Sequence, residues 1–307
     1  MYLITTITLN PCIDKSTKIP LLIPEKKMRC SAPTFEPGGG GINVARVLNR
    51  FGCNTLAVYP AGGYSGKFLT QLLSKENIPS LFIETTSHTR ENLIVFEETT
   101  GNQYRFGMPG APLQENEFSQ CLKAVEESAS EFIVVSGSLA PQQSLDAIAT
   151  IAMRAKQLNK KLVVDTSGPS IKAALEIGVF MIKPNLSELG VLLGKEANLE
   201  TAGTLAKEIV EKGQSENVIV SLGKAGALLV TKDQQIQYTP PAVQTKSTVG
   251  AGDSMVAGIL FQLVNGWAIA DAVKFGVACG TAATMNPGTE LCHKGDAEEL
   301  FSRITTL

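Results

Sequence analysis

The feature that most narrows the fold is a rhythm: short, nearly unbroken apolar runs alternate with longer segments of helical spacing. Residues 1–9 read as a first strand, and a helix over 42–51 leads into a strand over 55–59, with a further helix over 66–75. Helix-like segments 117–128, 144–158, 169–175 and 201–212 then precede apolar strands at 132–136, 161–165, 180–183 and 217–221. Segments 254–265 and 270–285 close the series as helices. Apolar strands carried between helices predict an α/β fold, with a mostly parallel central sheet flanked by helices on both faces.

Two stretches break the rhythm. Residues 10–35 hold Pro11, Pro20, Pro24 and Pro33 and show no helical spacing. Residues 91–106 alternate polar and apolar around a turn at 97–102, the pattern of a β-hairpin. Paired with each other, the two insertions make a small β-sheet lid. The expected division is a body of 1–9, 37–88 and 109–307 and a lid of 10–36 and 89–108. A small sheet of this kind exposes a face, which invites closure over a ligand or a homodimer through the lid.

Composition removes several classes of partner. A net charge of −2 gives no basic field for nucleic acid. No apolar run reaches the ~20 residues of a membrane span, and the start lacks the basic segment of a secretory signal. The six cysteines form no Cys-x-x-Cys pair, and two histidines leave little material for zinc. Scattered free thiols fit a cytoplasmic protein.

Candidate chemistry gathers at glycine-rich turns. In Gly250-Ala251-Gly252-Asp253, two glycines stand where a loop turns into a helix. Unpaired amides at a helix start form a pocket for an anion, and Asp253 beside it is placed to take a proton from a hydroxyl. The same residues also suit a plain turn with Asp253 as an ordinary helix cap. Gly38, Gly39, Gly40 and Gly41 precede Asn43 on the helix over 42–51 and suggest a second backbone surface for a ligand, or a hinge. Neither run has the spacing of a Walker A loop or a Rossmann fingerprint.

Asn185 and Glu188 follow a strand end and suit either water held around Mg²⁺ or a capping box. Ser221, Gly223, Lys224 and Gly226 end another strand, either beside a nucleotide or in a simple turn. Asp14 offers a carboxylate to sugar hydroxyls, or is a solvated loop acid. Lys27, Arg29, Arg90 and Arg105 share the insertions, where they suit a substrate phosphate or are exposed charges.

Taken in order, these motifs resemble the PfkB (ribokinase-like) carbohydrate kinases. The likeness runs through Asn10-Pro11-Cys12-Ile13-Asp14, the 38–43 run, Lys183-Pro184-Asn185-x-x-Glu188, Ser221-Leu222-Gly223-x-x-Gly226 and Gly250-Ala251-Gly252-Asp253. Segments 35–46 and 103–110 narrow it toward members that phosphorylate fructose 6-phosphate in glycolysis; tagatose-6-phosphate and fructose-1-phosphate kinases share the layout. The resemblance implies ATP-dependent transfer to the fructose C1 hydroxyl, with Asp253 as base and the amides of Ala251, Gly252 and Asp253 holding transferred charge. It implies that Asp14, Gly39, Asn43 and Ser138 hold the sugar, with Lys27, Arg90 and Arg105 near its phosphate. Lys183, Asn185, Ser221, Gly223, Lys224, Gly226, Thr248 and Asn286 would line the ATP site, and Glu188 would act through Mg²⁺. A K⁺ ion would rest on backbone carbonyls of Ser247, Val249, Ala283, Asn286, Gly288 and Glu290. Two departures from relatives stand out: Glu290 replaces an arginine, and Ala140 replaces a proline. A non-catalytic sugar-phosphate sensor on the same scaffold is the alternative from another class.

Overall fold

The computed structural model describes residues 2–307; Met1, which opens the first expected strand, lies outside the described residues. In chain order the strands are β1 (Ile4–Ile7), β2 (Cys12–Ile19), β3 (Thr34–Gly38), β4 (Thr55–Ala61), β5 (Ser80–Glu84), β6 (Arg90–Glu97) and β7 (Gln103–Phe106). They continue as β8 (Phe132–Ser136), β9 (Lys161–Asp165), β10 (Val179–Ile182), β11 (Ser215–Ser221), β12 (Ala227–Val230), β13 (Gln235–Thr239) and β14 (Thr305–Thr306). The helices are α1 (Gly40–Arg50), α2 (Gly63–Lys75), α3 (Glu115–Glu127), α4 (Ala147–Gln157) and α5 (Ser170–Ile177). They are followed by α6 (Leu186–Leu193), α7 (Ala202–Glu211), α8 (Ala251–Val264), α9 (Ile269–Thr284) and α10 (Lys294–Phe301).

One ten-stranded sheet runs β14-β13-β12-β11-β10-β9-β8-β1-β4-β5. From β5 to β11 every neighbouring pair is parallel; β12, β13 and β14 extend it antiparallel. Both faces are buried, which is why the strands read as continuous apolar runs. In β8, Phe132 and Val134 pack into the cluster under α1, α8, α9 and α10, while Ile133 and Val135 face α3 to α7. The antiparallel extension differs from the expected rhythm because β12 and β13 follow tight turns without intervening helices, and β14 returns after α10 to pair with β13.

The two insertions do pair. Strand β2 lies parallel to β6 with Cys12 opposite Arg90 and Asp14 opposite Asn92. On the flanks, β3 pairs antiparallel with β2, and β7 with β6. This four-stranded sheet, ordered β3-β2-β6-β7, is separate from the main one. Its geometry matters because β2 leaves the main sheet directly after β1, so Asp14 is delivered to the carboxyl edge of that sheet.

Helix α8 starts three residues earlier than its apolar pattern suggests. Glycine has low helix propensity and blurs the pattern, but Gly250 takes a left-handed conformation (φ 72°) that turns the loop into the helix at Ala251. Among the described residues no helix is long and apolar enough to cross a membrane.

Candidate active site

The ends of β9 and β10 and the starts of α1, α6 and α8 meet at the carboxyl edge of the main sheet, where α/β folds place their ligands. Strand β9 ends in Asp165, and Lys183 follows β10 directly. The register that sets Ile182 opposite Val164 brings the next two residues together, and Lys183 Nζ lies 3.2 Å from Asp165 Oδ1. Burial alone would pull the Lys183 ammonium pKa down; Asp165, Asp253 and Glu188 outweigh it and hold the pKa above its usual value. Lys183 is therefore a fixed, buried positive charge.

Helix α8 enters beside it. A Cβ at position 252 would sit 3.1 Å from Lys183 Nζ, a tight contact that glycine avoids. Gly250 supplies no side-chain cap, and the amides of Ala251, Gly252 and Asp253 have no acceptor among the described residues. Three donors next to an ammonium make a ready anion pocket.

Asp253 does not cap its own helix. Its Oδ2 accepts a hydrogen bond from Asn43 Nδ2 at 2.9 Å, across from α1. Desolvation by its buried surroundings pushes the Asp253 carboxyl up to about 6, and the Asp165 and Asp14 charges push the same way; Asn43 and Lys183 oppose them. A carboxylate titrating near neutrality is the tuning a general base requires.

Asp14 is buried, and its Oδ1 accepts from Asn92 Nδ2 at 2.9 Å and from the Cys12 thiol at 3.4 Å. Burial, together with Asp14, pushes the Cys12 thiol far above its usual pKa, so it stays protonated and donates. Gly38 closes on the other Asp14 oxygen, and a side chain there would collide with it. Arg90 reaches the carbonyls of Asn10 at 3.0 Å and Met108 at 3.1 Å. Arg105 NH2 donates to Thr248 Oγ1 at 3.2 Å, tying the small sheet to the loop that starts α8.

The remaining expected residues divide. Gly40 and Gly41 are buried against the ends of β8 and β1: a Cβ would meet Gly137 N at 2.6 Å and Ile7 O at 2.8 Å respectively. Gly39 is the N-cap residue of α1. Asn185 and Glu188 form a reciprocal capping box, each side chain bonding the other's backbone N–H at 2.9 Å. Ser221 bridges in parallel to Asn185, and Gly223, Lys224 and Gly226 form a tight 3₁₀ turn before β12. Lys27, Ser138 and Lys224 are exposed and make no hydrogen bond or ion pair among the described residues, so nothing in the chain draws them to the cluster.

The loop expected to hold a cation packs as a unit. Lys246 and Ser247 N–H groups both bond Thr284 O, at 2.8 and 3.3 Å, laying the 247–249 segment on the end of α9. The carbonyls of Ser247, Val249, Asn286 and Gly288 accept no hydrogen bond among the described residues, which fits a monovalent cation. The Ala283 carbonyl already accepts from Asn286 N at 3.2 Å, and the Glu290 carbonyl from Arg50 at 2.9 Å. The Glu290 carboxylate turns outward to His293, 2.9 Å away. Asn286 holds the loop through its Nδ2 bond to Leu291 O at 2.7 Å.

Residues that sequence reasoning missed are Asp165, Asn92 and Arg46. The signal for Asp165 was positional: an acid ending a parallel strand one register step from Lys183. Asn92 stands opposite Asp14 once β2 and β6 pair.

A free helix start, a carboxylate titrating near neutrality and a buried ammonium on one carboxyl edge suit phosphoryl transfer to an alcohol. Residues 4–294 match the family model described as pfkB family carbohydrate kinase, and the chain belongs to that family. It is 44% identical to the ATP-dependent 6-phosphofructokinase isozyme 2 of Escherichia coli K12, covering 99% of this chain and 100% of that one. The 1-phosphofructokinase of Bacillus subtilis is 32% identical over 94% of this chain and 95% of its own. Crystal structures of the phosphofructokinase-2 from Escherichia coli superpose on it closely. The potassium complex has a TM-score of 0.95 with 44% identity and 99% coverage of both chains. The fructose-6-phosphate complex has a TM-score of 0.93 with 42% identity and 99% coverage of both, and the same enzyme is also known in a tetrameric inhibited form.

Proposed function

We propose that this chain transfers the γ-phosphoryl group of ATP to the C1 hydroxyl of fructose 6-phosphate, giving fructose 1,6-bisphosphate and ADP. The observation that carries the reading is Asp253, held by Asn43 at the mouth of an uncapped helix start beside Lys183. Asp253 takes the hydroxyl proton as the C1 oxygen bonds the γ-phosphorus and the bond to the β-phosphate oxygen breaks. The amides of Ala251, Gly252 and Asp253 and the Lys183 ammonium face the charge on the transferring group. Asp14, with Asn43 and the Gly38–Gly39 backbone, orients the sugar, and Arg90 and Arg105 lie on the strands that would carry its phosphate end. Asn185, Ser221, Gly223, Gly226, Thr248 and Asn286 border the nucleotide side.

Two ions complete the reading. Glu188 keeps its Oε1 outside the capping box, which suits a water of Mg²⁺ bound to the nucleotide. The free carbonyls of Ser247, Val249, Asn286 and Gly288 suit K⁺, with Ala283 and Glu290 contributing only a second lone pair each. These ions supply charge neutralisation on the phosphates; the proton moves between protein and sugar.

Residues 10–36 and 89–108 act as the lid, and Leu21, Phe106 and Met108 keep apolar surface exposed there, which supports a homodimer through it. Sedimentation giving a monomer with and without ligands would remove that assembly, and a tetramer would extend it. Free cysteines without a disulfide among the described residues suit a cytoplasmic setting.

The deciding experiment is kcat/KM on fructose 6-phosphate, tagatose 6-phosphate and fructose 1-phosphate with ATP and Mg²⁺, with and without K⁺. Fructose 6-phosphate is expected to lead, and K⁺ to raise its rate. Preference for fructose 1-phosphate would favour the second reading, which the Bacillus subtilis relative supports. Binding without turnover would favour a sensor.

A further inference from the structure

Among the described residues Arg46 is the most heavily engaged buried charge, and no role assigned so far uses it. It is only 4% exposed. One edge of its guanidinium grips Glu76, with Nε 2.9 Å from Oε2 and NH2 2.8 Å from Oε1; Glu36 stands 3.7 Å from NH2. The other edge faces away from the acids. There NH1 donates to Pro37 O at 3.2 Å and reaches Asn43 Oδ1 and Thr289 O, each at 3.4 Å.

We propose that Arg46 is a positioning residue for the proton-accepting carboxylate: it locks the Asn43 amide in the orientation that presents Nδ2 to Asp253. This rests on the reading of Asp253 as the base. Asn43 and Arg46 are three residues apart on α1, so their side chains share a face. With Oδ1 toward the guanidinium, Nδ2 points at Asp253. Turned over, the amide would set N–H against N–H at Arg46 and oxygen against oxygen at Asp253. Both ends fail together, so the guanidinium selects one rotamer. Lysine at this position would offer a single charge centre, drawn to Glu76 and Glu36, with no fixed second edge for Asn43. The Thr289 contact joins the same guanidinium to the cation loop, where Glu36 also bonds Thr289.

The other charged or titratable groups around Asp253 are Asp14 and Cys12 from β2, Asp165 from β9 and Lys183 just after β10. Arg46 bonds none of them, so its influence on Asp253 passes through Asn43.

The test is the pH dependence of kcat/KM for fructose 6-phosphate in Arg46→Lys and Glu76→Gln. Losing a donor to a carboxylate raises its pKa. Arg46→Lys is expected to move the acid limb up by about one unit, a roughly tenfold loss below the limb. Glu76→Gln breaks the ion pair but leaves the NH1 edge in place; it should lower Tm and leave the limb unmoved. An unmoved limb in Arg46→Lys, or equal shifts in both variants, overturns the proposal. In the unaltered protein, the Asn43 side-chain amide resonances should titrate with the midpoint of the acid limb. Resonances indifferent to pH overturn it even where Arg46→Lys fails to fold. Absence of any acid limb in the unaltered protein would instead sink the assignment of Asp253 as base.

Discussion

Two helix starts flank Lys183, and they spend their amides differently. The cap of helix α6 stands two residues after it in a complete capping box: Asn185 and Glu188 satisfy each other's backbone N–H groups. Helix α8 begins on its other side with Gly250, which offers no side chain, and with an acid at its third position that turns away toward Asn43. Locally the two sequences look alike, each with an acid in the first turn. The difference is where that acid's carboxylate goes. A carboxylate folded back on its own helix closes the anion pocket; one held by a neighbouring helix leaves the pocket open. On the proposed reading, function at this edge depends on the unmet capping requirement at α8, while α6 is capped right after Lys183.

Filling the open start should have the largest effect. Gly252→Val places a branched side chain against Lys183 and over the free amides. A loss on the order of 10³-fold in kcat is expected, the scale of removing preorganised donors, with an unchanged circular dichroism spectrum. Unfolding in that spectrum would make Gly252 a packing residue and erase the contrast between the two starts. Asp253→Asn keeps the shape of the site and removes the base, so kcat should fall at least about 10²-fold. Near-normal turnover would mean that the carboxylate has no part in the chemistry.

The same carboxylate makes a prediction about pH. Its pKa is raised to about 6 from 3.8, so the folded protein holds its proton over a range where the unfolded chain has released it. The ionised group therefore costs stability fully above pH 6, and that cost fades as pH falls toward 3.8. Activity should run the opposite way, rising with pH through about 6. Asp253→Asn should raise Tm at pH 8 and lose that advantage near pH 4. An advantage that persists at pH 4 would assign the gain to packing, not to relieved charge.

What could be read in the chain beforehand follows from how local each signal is. The βα rhythm, the hairpin and the glycines before α1 and α8 are written in neighbouring residues, and their elements formed as expected. Antiparallel β12 and β13 were missed because short strands joined by turns, such as Gln235–Thr239, carry too few apolar residues for a periodic signal, and β14 is only two residues long. Asp14, Asn43 and Asp253 were named from motifs. Asp165 and Asn92 were not, because each owes its place to strand register with a distant segment. Arg46 closes the 35–46 segment of the family likeness with no role attached to it there; its partners Glu36 and Glu76 reach it from β3 and from the end of α2. Nothing in a single helical segment announces such a partner.

The closed start supplies the smallest and sharpest expectation. At α6, Asn185→Ala removes the side chain that accepts from Glu188 N, and loss of such a cap typically costs about 1 kcal/mol. Lys183 lies two residues upstream, so fraying of the cap should loosen its placement and lower kcat only a few-fold, well short of the Gly252→Val loss. Glu188→Gln separates the two duties of that residue. Glutamine also completes a capping box, so Tm should stay near that of the parent protein. The lost charge should instead raise the Mg²⁺ concentration needed for half-maximal rate. If Glu188→Gln lowers Tm as much as Asn185→Ala and leaves the Mg²⁺ requirement alone, Glu188 is a cap only. The two helix starts would then differ more sharply still, one wholly structural and one wholly open to ligand.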